Sequence, residues 1–424
     1  TTSLTISHAY GMFPPFQLPR NNPMSVQASR RPVEIAIVYM TGLAQGLSLV
    51  TFPAASNIFT STEFHQLTSS EYGSLFLPLI VCAILASGLG GALGRRLGLK
   101  RIFLLGLMFN LLSMVILTLS NRFVGHHGAA YGLLLVATGV LGAGFGATLT
   151  PLNIYVVSFF PSKSSTALTS LHAILGTGTA LAPLLLALFI SMGWWWGLPV
   201  GVGGLFLLLG VSSLGQPLEA EHAGKEPGQE GLASLLGVLP SRFWVYAGIV
   251  ILYGVCETVF GNWATIYLHE DKGLSLGQAG FALAAFWAMV TVGRVVVAAA
   301  SFWFPSLWIH RALPIMMLGA FLGIPTIEGA VGNLVAFGFA GLACSAFLPL
   351  SISLAEQEFW EVAEVVSGGL ISAYMLGYGL GSFGVGPLRE MANYSLSTIY
   401  TTSSALAAAI AVLAYFLRKP TQER

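Results

Sequence analysis

YGVCETVFGNWATIY, residues Tyr253–Tyr267, is an apolar, aromatic stretch with a single ionisable carboxyl near its middle, Glu257. A helix that is apolar on every side belongs in a large core or in a bilayer. The apolar run extends to 243–268, long enough for the ~20 residues a spanning helix needs. Glu257 then lies about 14 residues, or ~21 Å, from one end of the span, at or just beyond the midplane. An ionisable group at that depth is costly unless it is neutral, paired or facing water.

The rest of the chain agrees with a bilayer setting. Of 424 residues, 55% are hydrophobic and 8% charged, and the mean hydropathy is +0.78. A soluble domain is about a quarter charged, so the composition is that of an all-α integral membrane protein. The net charge of +1 offers no basic surface for nucleic acid. Cys82, Cys256 and Cys344 sit inside apolar runs and form neither a disulfide framework nor a metal-ligand spacing. The sequence has no phosphate-binding loop, no His-Glu-x-x-His and no nucleophile elbow. No catalytic residue, cofactor or metal site is expected.

Twelve apolar stretches qualify as spans: 33–59, 71–93, 102–120, 129–157, 165–191, 195–214, 243–268, 275–302, 308–328, 333–356, 362–388 and 396–417. The polar stretch 215–241, with Glu219, Glu221, Lys225, Glu226 and Glu230, divides them into two halves of six, 33–214 and 242–417. Residues 1–32 read as a flexible tail without a cleavable signal, and 418–424 as a second tail. Basic residues crowd one set of loop ends (Arg95, Arg96, Lys100, Arg101, Lys163, Arg242, Arg311), against Arg122, Lys272 and Arg389 on the other. That bias predicts both tails and the linker in the cytoplasm.

A weak repeat relates the halves. Pro151-Leu152-Asn153 in span four is matched by Pro349-Leu350-Ser351 in span ten. Gly178 with Ala182-Pro183 in span five is matched by Ser382 with Gly386-Pro387 in span eleven. Two halves with matching helix breaks suit a transporter with a midplane site between repeats.

The loop after span two reads Gly91-Ala92-Leu93-Gly94-Arg95-Arg96-Leu97-Gly98-Leu99-Lys100-Arg101. It resembles the signature loop of the major facilitator superfamily, glycine-x-leucine-alanine-aspartate-arginine-x-glycine-arginine-lysine. Gly91, Leu93, Arg96, Gly98 and Lys100 match in register, and Arg95 stands at the usual aspartate. In that family the acidic residue locks the halves together near span eleven. Here the start of span eleven is acidic, with Glu358, Glu361 and Glu364. The resemblance therefore suggests an exchanged pair, Arg95 with Glu361 or Glu364, in a cytoplasmic gate with Arg96 and Lys100. The other reading is that Arg95 is one more cytoplasmic anchor.

A narrower resemblance joins three short matches. They are Tyr253-x-x-x-Glu257 with Asn262-Trp263 and Tyr267 in span seven, Phe286-Trp287 with Gly293-Arg294 in span eight, and Leu171-His172 with Gly176-x-Gly178 in span five. Together they look like the fucose-permease branch of the superfamily and its bacterial relatives. The resemblance implies twelve helices in two pseudo-symmetric halves, alternating access, and often proton-coupled uptake of a sugar or similar polar solute. It also implies a bacterial inner membrane.

The residues themselves point the same way. Burial disfavours a charged carboxyl, so Glu257 can cycle between protonated and ionised forms; permanent pairing for packing is the rival reading. Arg294 is always charged and needs Glu257, a helix carbonyl end, an anionic solute or water. His172 can titrate near neutrality or sit neutral in a packing bond. Gln45, Ser48 and Thr51 share one face of span one. Asn153, Asn262, Tyr374 and Tyr378 are further polar groups at membrane depth. Trp194-Trp195-Trp196 reads as an interfacial belt.

Small solute and protons are thus the expected partners, with lipid around the chain. Two other functions fit the same residues: an organic-anion carrier or drug:proton antiporter, and a non-transporting assembly or pigment-binding subunit in a membrane complex.

Overall fold

The computed structural model describes residues 31–220 and 239–417. Apart from Arg31 and Pro32, the expected tails lie outside the described residues, as do most of the expected linker, the surroundings of Gly91 and the side chains of Arg95 and Glu364. The described chain is helical. Span one comprises Pro32–Ala54 and Ser56–Thr60, span two Ser69–Ser74 and Phe76–Leu97, span three Leu99–Ser120, span four His127–Phe159, span five Ser164–Ser191 and span six Gly197–Leu214. Span seven comprises Phe243–Asn262 and Ala264–Glu270, span eight Leu276–Ala300, span nine Ser306–Gly323, span ten Ala330–Cys344 and Phe347–Glu358, span eleven Ala363–Glu390 and span twelve Leu396–Tyr415. All of these except Ala363–Glu390 are long and apolar enough to cross a membrane. Span eleven has glycines, serines and tyrosines where the others have aliphatics.

The two ends of the described chain share one face, here called basal. Arg31 donates to the Glu219 carbonyl beyond span six at 3.1 Å. Arg311, in the first turns of span nine, donates to the carbonyls of Ala414, Tyr415 and Leu417 at the end of span twelve at 3.2, 2.9 and 2.8 Å. Lys100 does the same in the first half, reaching the carbonyls of Leu214 and Gln216 after span six at 3.1 and 2.6 Å. In each half, then, a cation at the start of the third helix satisfies the unpaired carbonyls ending the sixth.

Close glycine packing repeats as well. Gly46 of span one and Gly178 of span five leave no room for a Cβ at their crossing. Gly254 of span seven is equally tight against span eleven, where a Cβ would sit 2.7 Å from the Tyr374 carbonyl. This pair of crossings is a better repeat than the proline motifs. Span four runs unbroken through Pro151, whereas span ten breaks at Ser345–Ala346. The breaks that do match between the halves are in spans one and seven, at Ala55 and Trp263.

Gly98 joins spans two and three at φ +88°, a left-handed conformation that a residue with a Cβ rarely adopts. Trp195 corrects the interfacial reading. It is buried, donates to Asn121 Oδ1 at 3.0 Å and meets Phe59 and His65 edge-on.

Candidate functional site

Among the described residues, every hydrogen bond between the two halves lies on the distal face, opposite the basal one. The short helices after the two breaks meet there: Ser56 bonds Thr265, and Asn57 donates to the Thr265 carbonyl at 2.9 Å. Tyr72 donates to the Asn262 carbonyl at 2.7 Å. The end of span eleven grips the start of span two. Glu390 accepts from the Ser70 amide and hydroxyl at 2.9 and 2.5 Å, and Arg389 donates to Ser69 at 2.9 Å while pairing Glu270 at 2.7 Å. Between these bonds and the basal face, span five meets span eight with Gly176 hard against Thr291. On the basal side Thr169 and Ser170 of span five and Ser372 of span eleven are exposed. The halves are thus latched distally and lack a hydrogen-bonded latch basally among the described residues.

Glu257 sits on the basal side of the distal latch, 5% exposed. Its Oε2 accepts from the Tyr374 hydroxyl at 2.6 Å. Tyr253, one turn earlier on the same helix, donates to the Cys344 carbonyl at 2.8 Å. Tyr253 and Tyr374 lie ring to ring at 6.0 Å, and Tyr374 and Tyr378 at 6.1 Å. A carboxyl walled by phenols can be held in either protonation state, because each hydroxyl can donate or accept.

Arg294 interacts electrostatically with Glu257, Tyr374 and His172. Of the partners open to it, it takes a helix carbonyl end: Nε donates to Ser345 at the break in span ten at 3.2 Å. Its side chain is exposed, and no carboxylate of the described residues lies within 4 Å. The direct Glu257–Arg294 pair that depth alone allowed is therefore absent. His172 is half-buried and, from the other half, faces Arg294.

Other expected residues fall elsewhere. Asn262 is fully buried in the distal latch, donating to Ser382 and accepting from Tyr378, each at 3.0 Å. Gln45 is buried against Thr148 of span four, so the polar face of span one is turned into its own half. The Oε1 of Gln45 and the Oδ1 of half-buried Asn153 have no partner among the described residues. Among the described residues, the gate residue Lys100 bonds only within its own half. Arg96 and Glu361 are exposed without an ion pair among the described residues, and Glu358 is held by Arg242 and Tyr246, both at 2.9 Å. The exchanged gate through Arg95 and Glu364 lies outside the described side chains. Sequence reading gave Tyr253, Cys344 and Ser345 no role. The four-residue spacing of Tyr253 and Glu257 was visible and Pro349 marked a break in span ten, but not that the carbonyls freed there would face these two residues.

The sequence profile of the Major Facilitator Superfamily matches residues 37–385. The chain belongs to that superfamily. At the level of the superfamily it is a membrane transporter and not an enzyme. Solved superfamily structures share the fold. The chain is similar to a D-xylose-proton symporter at 14% identity and a TM-score of 0.71, covering 92% of this chain and 99% of that one. It is similar to the E. coli fucose:proton symporter at 15% identity and a TM-score of 0.61, again covering 92% and 99%. A nucleoside transporter aligns at 15% identity and a TM-score of 0.71, covering 90% and 97%. No curated protein matches the sequence significantly.

Proposed function

We propose that this major facilitator protein moves a small polar solute by alternating access, with Glu257 as the proton-coupling group. The observation that carries this reading is the setting of Glu257: a carboxyl nearly closed from water, held by a phenol instead of a cation, on the inner side of a distal latch, with no hydrogen-bonded basal latch among the described residues. A structural ion pair would have placed Arg294 on it. The three symporters and transporters of the same fold act on sugars or nucleosides by their names, which supports a polar, ring-bearing solute and the fucose-permease branch. The basal face would be cytoplasmic in an inner membrane, on the bias of its basic residues.

A thermal-shift screen of purified protein against sugars, nucleosides and organic acids, repeated on Glu257→Gln, tests the reading. A polar solute is expected to raise the melting temperature of both proteins. In proteoliposomes only the unmutated chain should alkalinise the medium during uptake of that solute. If no solute stabilises the protein, or if Glu257→Gln carries protons undiminished, the reading falls.

A second reading has its own observation. The exposed guanidinium of Arg294 has no carboxylate partner among the described residues, and a planar cation in low dielectric favours a carboxylate-bearing solute. Stabilisation by organic acids alone, lost in Arg294→Gln, would select it.

A further inference from the structure

Span ten breaks beside Glu257, and two donors hold the break. The helix Ala330–Cys344 ends there, and the last carbonyls of a helix have no partner within it. Tyr253 donates to the Cys344 carbonyl at 2.8 Å and Arg294 to the Ser345 carbonyl at 3.2 Å. The Tyr253 hydroxyl also lies against the Glu257 carboxyl. A phenol has one proton and donates once. Two acceptors, the Cys344 carbonyl and the Glu257 carboxylate, therefore compete for one hydrogen bond.

We propose that Tyr253 is a positioning residue that ties the protonation of Glu257 to the hinge of span ten. This rests on the reading of Glu257 as the proton-coupling group. When a proton arrives from water, Glu257 becomes a donor. Its O–H turns to a phenol oxygen and the Tyr253 proton stays on the Cys344 carbonyl, which pins the break. When the proton leaves to water, the carboxylate recruits the Tyr253 hydroxyl alongside that of Tyr374. The Cys344 carbonyl is then left without that donor in a low-dielectric setting, which disfavours the present geometry of the break. Only O–H bonds are made or broken, and the proton is exchanged with solvent.

The groups around Glu257 are few. Tyr253 and Cys256 share its helix; Tyr374 and Tyr378 come from span eleven, Cys344 from span ten and Arg294 from span eight. Arg294 stays charged throughout, so it biases the equilibrium without titrating. The ring of Tyr253 packs on Phe347, just past the break, at 5.1 Å. Tyr253→Phe therefore removes the hydroxyl and keeps the packing.

The test uses the full chain in lipid nanodiscs, with Cys82→Ser and spin labels at Lys163→Cys and Gln357→Cys, both exposed positions on the basal side of opposite halves. Pulsed electron resonance reads the distance between labels from about pH 5 to pH 9, a span that covers buried glutamates. The unmutated sequence should shift reversibly with pH, and Glu257→Gln should not. Tyr253→Phe should lose most of the shift. A Tyr253→Phe protein that titrates like the parent, beside an inert Glu257→Gln, overturns the hinge proposal and leaves proton coupling standing. A parent that does not shift, or a Glu257→Gln that does, overturns proton coupling and the proposal with it. Infrared difference spectra of the unmutated protein with ring-labelled tyrosine give a readout independent of the folding of any variant. The phenolic C–O band should move with the carboxylic C=O band, and a silent phenol would sink the proposal.

Discussion

Arg294 and His65 show how differently two basic side chains are handled, one charged and exposed, the other neutral and buried. Arg294 sits at the carbonyl end of a broken helix, where a cation meets the negative end of the helix dipole. Arg294→Gln should leave the Ser345 carbonyl weakly served and cost about 1–3 kcal/mol, read as a lower melting temperature in detergent; an unchanged value would mean that water replaces the guanidinium. His65, in the loop between spans one and two, is buried, bonded to Ser120 at 2.9 Å, and wedged between Phe59 and Trp195. Burial pushes it down to about 4, below its ordinary value of about 6.5. Between those values the unfolded chain binds a proton that the folded chain refuses. Its contribution to stability is therefore full above about pH 6.5 and is lost as pH falls toward 4. Thermal unfolding of the parent should fall more steeply over that window than that of His65→Gln; parallel slopes would contradict it.

At the scale of elements, the device to test is the repeated basal cap. Lys100 on span six and Arg311 on span twelve hold equivalent carbonyls in the two halves. Replacing either by alanine should cost about 1 kcal/mol through the lost cap, with Arg311→Ala the larger because its ring contact with Tyr415 goes too. Matched thermal unfolding of the two variants measures this, and a Lys100→Ala that alters only the pH response of the basal face would return Lys100 to a gating role. The spans themselves were legible, because long apolar runs are a direct record of bilayer solvation. Their breaks were legible only in part. Pro53 lies two residues before Ala55, and Pro349 has no N–H for the Ser345 carbonyl four residues back, whereas Trp263 carries no such mark and Pro151 lies inside an unbroken helix, since a helix can absorb proline when neighbours satisfy the freed carbonyl. The candidate site was legible in part for the same reason. Glu257 and Arg294 stood out as charges at depth, but what each one touches depends on which carbonyls the break in span ten presents to them, and packing decides that.

For the whole molecule the question is what keeps the distal face shut. The polar contacts there are concentrated at the end of span eleven, where Arg389 reaches Ser69 and Glu270 and Glu390 reaches the first turn of span two. A carboxylate at a helix N-terminus is well placed, because the unpaired amides and the helix dipole both favour it. Around this grip the packing is close: Gly73 abuts Ser382 and Gly386 abuts Ser70, with no room for a Cβ at either. Opening the distal face must therefore separate spans two and eleven as rigid surfaces and break the grip as a unit. The double variant Arg389→Ala with Glu390→Gln should shift the population toward a distally open form, while either single change should do so less because the remaining partner still holds span two. Maleimide labelling of a cysteine placed at Ser382, buried in this conformation, reads the opening from the distal side. Faster labelling in the double variant than in the parent is the expected outcome. Equal rates would mean that apolar packing alone, through the Tyr72–Trp263 contact at 5.0 Å and its neighbours, keeps the distal face closed.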